Sequence, residues 1–333
     1  MGIGSGGITI RVITHFASMG AAMNKCEIIV GDAVEKLREI PDGSVRTVVT
    51  SPPYWGLRDY GNQAQIGLED TADEFIEKLC QVFDEVRRVL ADDGTIWVNL
   101  GDTYVSKQLM GVPWRFAFAM QSRGWYLRQD IIWSKRNPLP ESIKDRCTKS
   151  HEYIFLMSKK PRYYFDSTAI QEPLAESSMK RLAQNVGEQK GSTRAHGGVG
   201  HTMRAVASKR AVTRGGFGRA DIPGQSDHGG PSDDETLVEL VRNKRSVWNV
   251  SVARFKDAHF ATYPVELVRP CILAGSEPGD TVLDPFSGAG TTGVEALSLG
   301  RDYIGVELNP EYARLSAERI EKSGGMFVSI DLR

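Results

Sequence analysis

The spacing of apolar residues between positions 71 and 90 is the clearest structural signal in the chain. Phe75, Leu79, Val82 and Val86 recur at intervals of three and four, which predicts a helix over Thr71–Leu90. The elements predicted around it are strands at 26–30, 45–50 and 95–100, and helices at 33–40 and 113–123. Alternation of strands and helices indicates an α/β sheet with covering helices.

The alternation of predicted strands and helices is interrupted in the middle of the chain and resumes near its C-terminal end. Runs typical of strands at 126–135, 151–158 and 163–166 are followed by residues 171–245, which have little periodicity and much glycine, serine and arginine. So long a stretch without pattern inside a compact chain is usually functional or disordered. Order resumes at Tyr263-Pro264 with a helix to Ala274, a strand at 281–286, a helix at 291–299, a strand at 302–308 and a helix at 310–322.

Composition narrows the protein class without naming a function. The chain has 333 residues, 41% hydrophobic and 25% charged, with a net charge of −1, so its bulk charge indicates no partner. The four cysteines form no C-x-x-C pair and the six histidines form no H-E-x-x-H motif, so we predict no metal. No apolar run reaches the length of about 18 residues that a membrane span needs.

A glycine pattern follows the predicted strand at 281–286. Gly288, Gly290 and Gly293 match G-x-G-x-x-G, and Glu307 lies at the end of the next strand, 19 residues after Gly288. Glycines let the backbone approach a ligand, and an acid at this spacing suits ribose hydroxyls. The pattern predicts an adenosine-containing cofactor. The alternative is a tight strand–helix turn followed by a solvated glutamate.

The position of this pattern predicts an unusual strand order. Only 43 residues follow Gly290, so the remaining strands of the sheet must come from earlier in the chain. We therefore predict a circularly permuted sheet, in which the strand at 45–50 and the glycine strand face one crevice with their carboxyl ends. The shortage of later strands argues against a nicotinamide oxidoreductase, which the glycine pattern also suggests.

The strand at 45–50 ends in Ser51-Pro52-Pro53-Tyr54. Proline restricts its own backbone and that of the preceding residue, so this segment is either a rigid turn or a preorganised reaction site. Followed far downstream by Asp284-Pro285-Phe286-Ser287-Gly288-Ala289-Gly290-Thr291-Thr292, it resembles the β group of exocyclic-amino DNA methyltransferases. The resemblance implies a Rossmann-like class I methyltransferase fold, circularly permuted, with an inserted target-recognition region. It also implies S-adenosyl-L-methionine as the cofactor.

The resemblance implies roles for the residues of both motifs. Ser51 Oγ and the Pro52 carbonyl are expected to accept the N–H groups of the target amine, which localises its lone pair for attack. Pro53 stiffens the segment, and Tyr54 is expected to stack on a base that has left the duplex. The expected cofactor-binding residues are Asp32, Phe260, Thr262, Asp284, Pro285, Phe286, Ser287, Gly288, Gly290, Thr291, Thr292 and Glu307.

Some of these positions have two interpretations. Asp32 is expected near the cofactor adenine, or as the N-cap of the following helix, and both roles are compatible. Phe260 and Thr262 lie in a segment that resembles the family's motif for binding the methionine end of the cofactor. The alternative is that this segment is a loop leading into a helix. Asp284 is expected to meet the cofactor ammonium. Glu152, at the start of a strand, is expected to be structural.

The middle of the chain is expected to contact DNA. Nine Lys or Arg and one acid, Glu188, lie between Lys180 and Arg219, and a mobile basic segment would add phosphate contacts. The family places its target-recognition region here, although a solvated insertion without a role in specificity is the alternative. The candidate DNA contacts are Trp55, Lys180, Arg181, Arg194, Arg204, Arg210 and Arg214.

These inferences define a domain organisation and a function. We predict a loose extension at 1–24, a catalytic domain formed by 25–170 and 255–325, and a target-recognition insertion at 171–254. Serine at position 51 favours cytosine N4 over adenine N6 as the acceptor. The expected partners are double-stranded DNA, a cognate restriction endonuclease and a second copy of the chain, in the cytoplasm and encoded by a prokaryote or a phage. More distant alternatives are methylation of an RNA or protein amine, and an inactive DNA-binding relative.

Overall fold

The computed structural model describes residues 10–11, 24–57, 65–174, 241–252, 263–324 and 328–333. The chain divides into two units, one formed by Met1–Ile170 with Lys244–Arg333 and the other by Gln171–Asn243. Within the described residues, the first unit holds the helices and a ten-stranded sheet. In the second unit, two short strands pair antiparallel, and Arg242 forms an ion pair with Glu172.

The strands are numbered along the chain. They are β1 (Ile10–Arg11), β2 (Asn24–Val30), β3 (Val45–Thr50), β4 (Leu90–Leu100), β5 (Tyr104–Val105), β6 (Gln108–Leu109), β7 (Tyr126–Lys135), β8 (His151–Ser158), β9 (Glu172–Pro173), β10 (Val241–Arg242), β11 (Val247–Val250), β12 (Thr281–Asp284), β13 (Asp302–Glu307) and β14 (Val328–Leu332). The helices are α1 (Ala33–Leu37), α2 (Ala72–Val89), α3 (Val112–Ser122), α4 (Val265–Gly275), α5 (Thr291–Ser298) and α6 (Pro310–Gly324).

The strand order of the large sheet is β1-β14-β2-β13-β12-β3-β4-β8-β7-β11. The strands from β14 to β4 run parallel, whereas β8 runs antiparallel to both of its neighbours. The glycine strand β12 lies between β13 and β3, so strands from the two ends of the chain interleave. The predicted α/β fold with a circularly permuted sheet is therefore confirmed.

Helix α2 shows how the sequence sets an element and its packing. The Thr71 hydroxyl accepts from the Glu74 backbone N–H, and the Glu74 carboxylate accepts from the Thr71 N–H, which forms a capping box. The apolar stripe of the helix is buried against one face of the sheet, with Phe75 and Phe83 fully enclosed. The predicted amphipathic helix thus covers the sheet beside Ser51-Pro52-Pro53-Tyr54, the predicted catalytic segment.

Side chains of the sheet alternate between two cores. In β4, Ile96 and Val98 pack in the core that includes α2 and α3, whereas Trp97 packs in the opposite core, which includes α4 and α5. The parallel strands are covered on both faces, which explains their nearly continuous apolar sequences. None of the helices in the described ranges is long and apolar enough to cross a membrane.

The structure corrects several predicted elements. Residues 163–166 are not a strand, because the Tyr164 N–H donates to the Asp93 carbonyl and the Asp166 N–H to the Ala274 carbonyl, without a ladder. Conversely, β11 and β14 were not predicted. β11 is only four residues long and pairs with β7, so its stability comes from a partner distant in sequence.

Candidate active site

A cleft lies where β2, β3, β12 and β13 reach their carboxyl ends. The chain passes from β12 to β13 on one side and from β3 to β4 on the other, so the direction of the strand connections reverses between β12 and β3. Ligands of open α/β sheets bind at such a reversal. The predicted site residues that line the cleft are Asp32, Ser51, Pro53, Pro285, Phe286, Ser287, Gly288, Thr291 and Glu307. The cleft therefore brings the catalytic segment and the glycine turn together.

The glycine turn has a backbone that other residues would not adopt easily. Gly288 and Gly290 have φ values of 51° and 72°. A Cβ on Gly290 would overlap Ser316 Oγ on α6, so this position requires glycine for space as well as for conformation. A Cβ on Gly288 would meet no atom nearer than the Phe286 carbonyl oxygen at 3.9 Å, so the backbone here borders the cleft directly.

Glu307 closes the turn from the next strand. Its Oε2 accepts from the Gly288 N–H at 2.8 Å, and its Oε1 accepts from the Asn309 N–H at 2.9 Å. Burial raises the pKa of the Glu307 carboxyl, although these hydrogen bonds oppose the shift. A carboxylate has about four acceptor positions, so these N–H groups do not use all of them, and the contact of Glu307 with ribose hydroxyls stays a prediction.

Asp32 has the local role that its sequence position predicted. Its Oδ1 accepts from the Glu35 N–H at 3.1 Å and caps α1, while its side chain also lines the cleft. The N-cap interpretation is confirmed by this contact. A contact with the cofactor adenine stays a prediction.

Asp284 is buried beneath the cleft and does not line it. Its carboxylate accepts from Thr50 Oγ1 at 2.6 Å, Thr292 Oγ1 at 2.7 Å, the Phe286 N–H at 3.0 Å and the Tyr263 hydroxyl at 3.2 Å. Burial raises the pKa of Asp284, and the four hydrogen bonds oppose that shift. These contacts join β3, β12 and α5, and the predicted contact of Asp284 with the cofactor ammonium stays a prediction.

The catalytic segment belongs to a network of polar side chains. Ser51 Oγ lies 3.4 Å from the Tyr54 hydroxyl and 3.3 Å from Asn99 Nδ2. The Tyr54 hydroxyl donates to Glu152 Oε2 at 2.6 Å, and Lys135 Nζ donates to Glu152 Oε1 at 2.5 Å. Asn99 and Lys135 were not predicted as site residues, and Glu152 was predicted to be structural, because these three residues come from separate strands.

Other candidates lie away from the cleft or outside the described residues. Trp55 is only 8% exposed, packs in the core, and donates through Nε1 to the Glu69 carbonyl at 2.8 Å, which does not support a DNA contact. Phe260 and Thr262 lie outside the described residues, as do the candidate DNA contacts Lys180, Arg181, Arg194, Arg204, Arg210 and Arg214. Gln65, Ile66, Asn309 and Tyr312 line the cleft but carried no recognisable sequence signal.

Comparison with known proteins assigns the chain to a family. The family model described as DNA methylase, of the N6 and N4 types, matches residues 45–318. This chain belongs to the exocyclic-amino DNA methyltransferases. Among relatives of this methyltransferase, the Type II methyltransferase M.Cfr9I of Citrobacter freundii is 40% identical over 328 residues, which cover 90% of this chain and 89% of that protein. M.SmaI of Serratia marcescens is 40% identical over 327 residues, covering 90% and 91%.

Solved methyltransferase structures share the fold. The putative DNA modification methylase TTHA0409 from Thermus thermophilus, in complex with S-adenosyl-L-methionine, has a TM-score of 0.57 and 24% identity and covers 92% of this chain and 99% of its own. The cytosine-N4-specific PvuII DNA methyltransferase has a TM-score of 0.60 and 20% identity, with coverage of 91% and 92%. The chain is therefore an S-adenosylmethionine-dependent DNA methyltransferase with the class I fold.

The described part of the cleft fits this cofactor. S-adenosylmethionine supplies an electrophilic methyl group on a sulfonium sulfur. The exposed backbone at Gly288 leaves room for close approach, and the Glu307 carboxylate offers acceptors for ribose hydroxyls. Ser51, which is predicted to accept a hydrogen bond from the target amine, lines the same cleft.

Proposed function

We propose that the enzyme methylates the N4 amino group of cytosine in double-stranded DNA, with the base flipped out of the duplex into the cleft beside Ser51. The observation that carries this proposal is the shared cleft, which is lined by Ser51 and Pro53 on one wall and by Gly288 and Glu307 on the other. A base inside a duplex cannot reach such a site, and flipping costs roughly a few kcal/mol.

The catalytic segment is suited to an aryl amine. The lone pair of such an amine is delocalised into the ring, so it is a poor nucleophile until acceptors engage its N–H groups. We assign Ser51 Oγ and the Pro52 carbonyl to these two hydrogen bonds. Pro52 and Pro53 restrict the backbone, so the two acceptors are held in place before the base arrives. Tyr54 is partly buried beside them and is assigned to the base.

Cytosine is proposed over adenine because position 51 is serine, which is common among the family's N4-cytosine enzymes. The cytosine-N4-specific PvuII enzyme has the same fold, which is consistent with this choice. Methylation of adenine N6 would use the same acceptors and is the alternative outcome of the experiment below.

Two further proposals concern partners. The basic segment between Lys180 and Arg219 is proposed to contact DNA phosphates, because it carries nine Lys or Arg and one acid. The relatives M.Cfr9I and M.SmaI are named Type II methyltransferases, so we propose that this enzyme protects the recognition site of a cognate restriction endonuclease.

The test is a methyl-transfer reaction with S-adenosylmethionine and unmethylated genomic DNA, followed by mass spectrometry of the digested nucleosides. The proposal predicts N4-methylcytosine. N6-methyladenine would overturn the choice of base, and the absence of both in a cofactor-binding preparation would overturn the acceptor. The Gly288→Asp variant, which places a carboxylate in the cleft, controls for background methylation.

A further inference from the structure

A buried carboxylate lies directly behind the catalytic segment. Glu152 is 8% exposed and is the second residue of β8, in which residues 154–157 are apolar. It accepts hydrogen bonds from the Tyr54 hydroxyl, from Asn99 Nδ2 at 2.9 Å and from Lys135 Nζ. Burying a charged carboxylate is costly unless it is paired, so three donors on one side chain indicate that its position is specified.

The carboxylate determines which atoms donate along the chain of hydroxyls. An ionised carboxylate only accepts, so the Tyr54 hydroxyl must donate to Glu152. The hydrogen of Tyr54 is then engaged, so in a hydrogen bond with Ser51 the tyrosine oxygen is the acceptor, as it is for Asn99 Nδ2 at 2.8 Å. In that arrangement the Ser51 hydrogen points to Tyr54. Asn99 Nδ2 donates to one lone pair of Ser51 Oγ at 3.3 Å, which leaves the second lone pair for the N–H of the target amine.

The reaction must dispose of one proton. When the amine nitrogen forms its bond to the methyl carbon, the carbon–sulfur bond breaks and the nitrogen becomes positively charged. A neutral methylated amine forms only after an N–H bond breaks. The Pro52 carbonyl accepts a hydrogen bond but is too weak a base to hold the proton. Ser51 Oγ can accept it only by passing its own hydrogen onward.

The geometry provides the onward path. The amine proton would bind Ser51 Oγ, the Ser51 hydrogen would bind the Tyr54 oxygen, and the Tyr54 hydrogen would bind Glu152 Oε2. Each oxygen of the path gains one hydrogen and loses one, and the carboxylate gains the proton. The distances are 3.4 Å from Ser51 to Tyr54 and 2.6 Å from Tyr54 to Glu152. The longer contact is at the limit of hydrogen bonding, and catalytic hydrogen bonds commonly shorten when substrate binds.

We propose that Glu152 is a positioning residue that orients the Ser51 and Tyr54 hydroxyls and takes up, through them, the proton that the methylated amine releases. The inference rests on the proposed role of Ser51 as acceptor for the amine.

Charged groups around Glu152 support this role. Lys135 on β7 pairs with it and is 21% exposed, so the network extends from the buried carboxylate to solvent. Lys149, just before β8, also interacts electrostatically with Glu152, and burial lowers the pKa of this lysine. Tyr54 faces Glu152 from the catalytic segment. These groups place hydrogen-bond donors and positive charge around the carboxylate.

The test is the single-turnover rate of methyl transfer as a function of pH in Glu152→Gln and Glu152→Asp. Glutamine matches glutamate in shape but cannot take up a proton. The methyl-transfer rate of Glu152→Gln should therefore be about 100-fold lower than that of the wild type and should not depend on pH in the acidic range. Aspartate keeps the charge and should retain more activity than glutamine despite its shorter side chain. The dissociation constants for S-adenosylmethionine and DNA should change less than about twofold.

A double-mutant cycle separates this role from a structural one. If Glu152 acts through the Tyr54 hydroxyl, Glu152→Gln should add little to the rate loss of Tyr54→Phe. Glu295→Gln is the matched control, since Glu295 is a buried carboxylate paired with Arg269 and does not line the cleft. If Glu152→Gln fails to fold, the Lys135→Met/Glu152→Gln double variant removes the unpaired lysine and allows the same measurement.

The outcomes are distinct. If the wild-type protein does not methylate amino groups in DNA, the proposed function is wrong. Normal wild-type activity with an unchanged rate and pH profile in Glu152→Gln would overturn the inference about Glu152 alone. Equal losses in Glu152→Asp and Glu152→Gln, with additive effects in the cycle, would reduce Glu152 to a packing role.

Discussion

The two walls of the cleft are built in different ways. The cofactor wall is a backbone turn whose main partners, Gly288 and Glu307, are 19 residues apart and join adjacent strands. The catalytic wall is a side-chain network in which Tyr54 contacts a residue 98 positions away, on β8. A backbone turn depends on local sequence, whereas a side-chain network depends on the whole sheet. Substitutions should therefore separate cofactor binding from methyl transfer.

Among substitutions in the cofactor wall, the largest loss of cofactor affinity is expected from Gly290→Ala. The left-handed backbone costs roughly 1–2 kcal/mol for a residue with a Cβ, and that Cβ would also overlap Ser316 Oγ. We expect an affinity for S-adenosylmethionine at least about tenfold lower, equivalent to about 1.4 kcal/mol, and a lower unfolding temperature. Calorimetric titration and thermal unfolding measure the two effects.

Gly300→Ala is the matched control for this variant. Gly300 has a φ of 77°, but its Cβ would make only an ordinary contact with Pro278 at 3.7 Å. It should show the backbone strain without the loss of cofactor affinity. Equal losses of affinity in both variants would mean that the clash at Gly290 does not determine the turn.

An intermediate effect is expected from Glu307→Gln. Glutamine has one oxygen in place of two, so either the Gly288 or the Asn309 N–H loses its acceptor, and charged hydrogen bonds of about 1.5–3 kcal/mol are weakened. Burial raises the pKa of Glu307, and the ionised form is the one that accepts ribose hydroxyls. Wild-type affinity for S-adenosylmethionine should therefore fall as the pH falls through this raised pKa.

Glu307→Gln should bind S-adenosylmethionine more weakly than the wild type, and its affinity should change little with pH where that of the wild type falls. Fluorescence or calorimetric titration between mildly acidic and neutral pH measures both. A wild-type affinity that is constant over this range would contradict the assignment of Glu307 to the cofactor.

The difference between the walls also explains what the sequence could predict. The glycine turn, the acid at Glu307 and the permuted strand order follow from spacing along the chain. The partners of Tyr54 could not be found this way, because Asn99, Lys135 and Glu152 meet only after β4, β7 and β8 have paired. The burial of Trp55 could not be predicted for a similar reason, since it depends on the core that Trp55 shares with helix α2 rather than on its position after Tyr54.

The smallest of these effects is expected from Gly101→Ala on the catalytic wall. A Cβ at this position would lie 2.6 Å from Cε2 of Tyr54, so the ring must shift relative to Glu152. Loss of roughly 1 kcal/mol of hydrogen bonding would slow methyl transfer about fivefold. The affinity for S-adenosylmethionine should stay within about twofold of wild type. A loss of cofactor affinity as large as the loss of rate would show that the walls are not separable.

The most direct test is Ser51→Ala, measured by single-turnover methyl transfer and by titration with S-adenosylmethionine. Removing one preorganised hydrogen-bonding group commonly lowers a rate by about 100-fold to 1,000-fold. We predict a loss of rate in this range, with the affinity for S-adenosylmethionine unchanged. Methyl transfer at the wild-type rate in Ser51→Ala would contradict the assignment of the Ser51 hydroxyl as acceptor for the target amine.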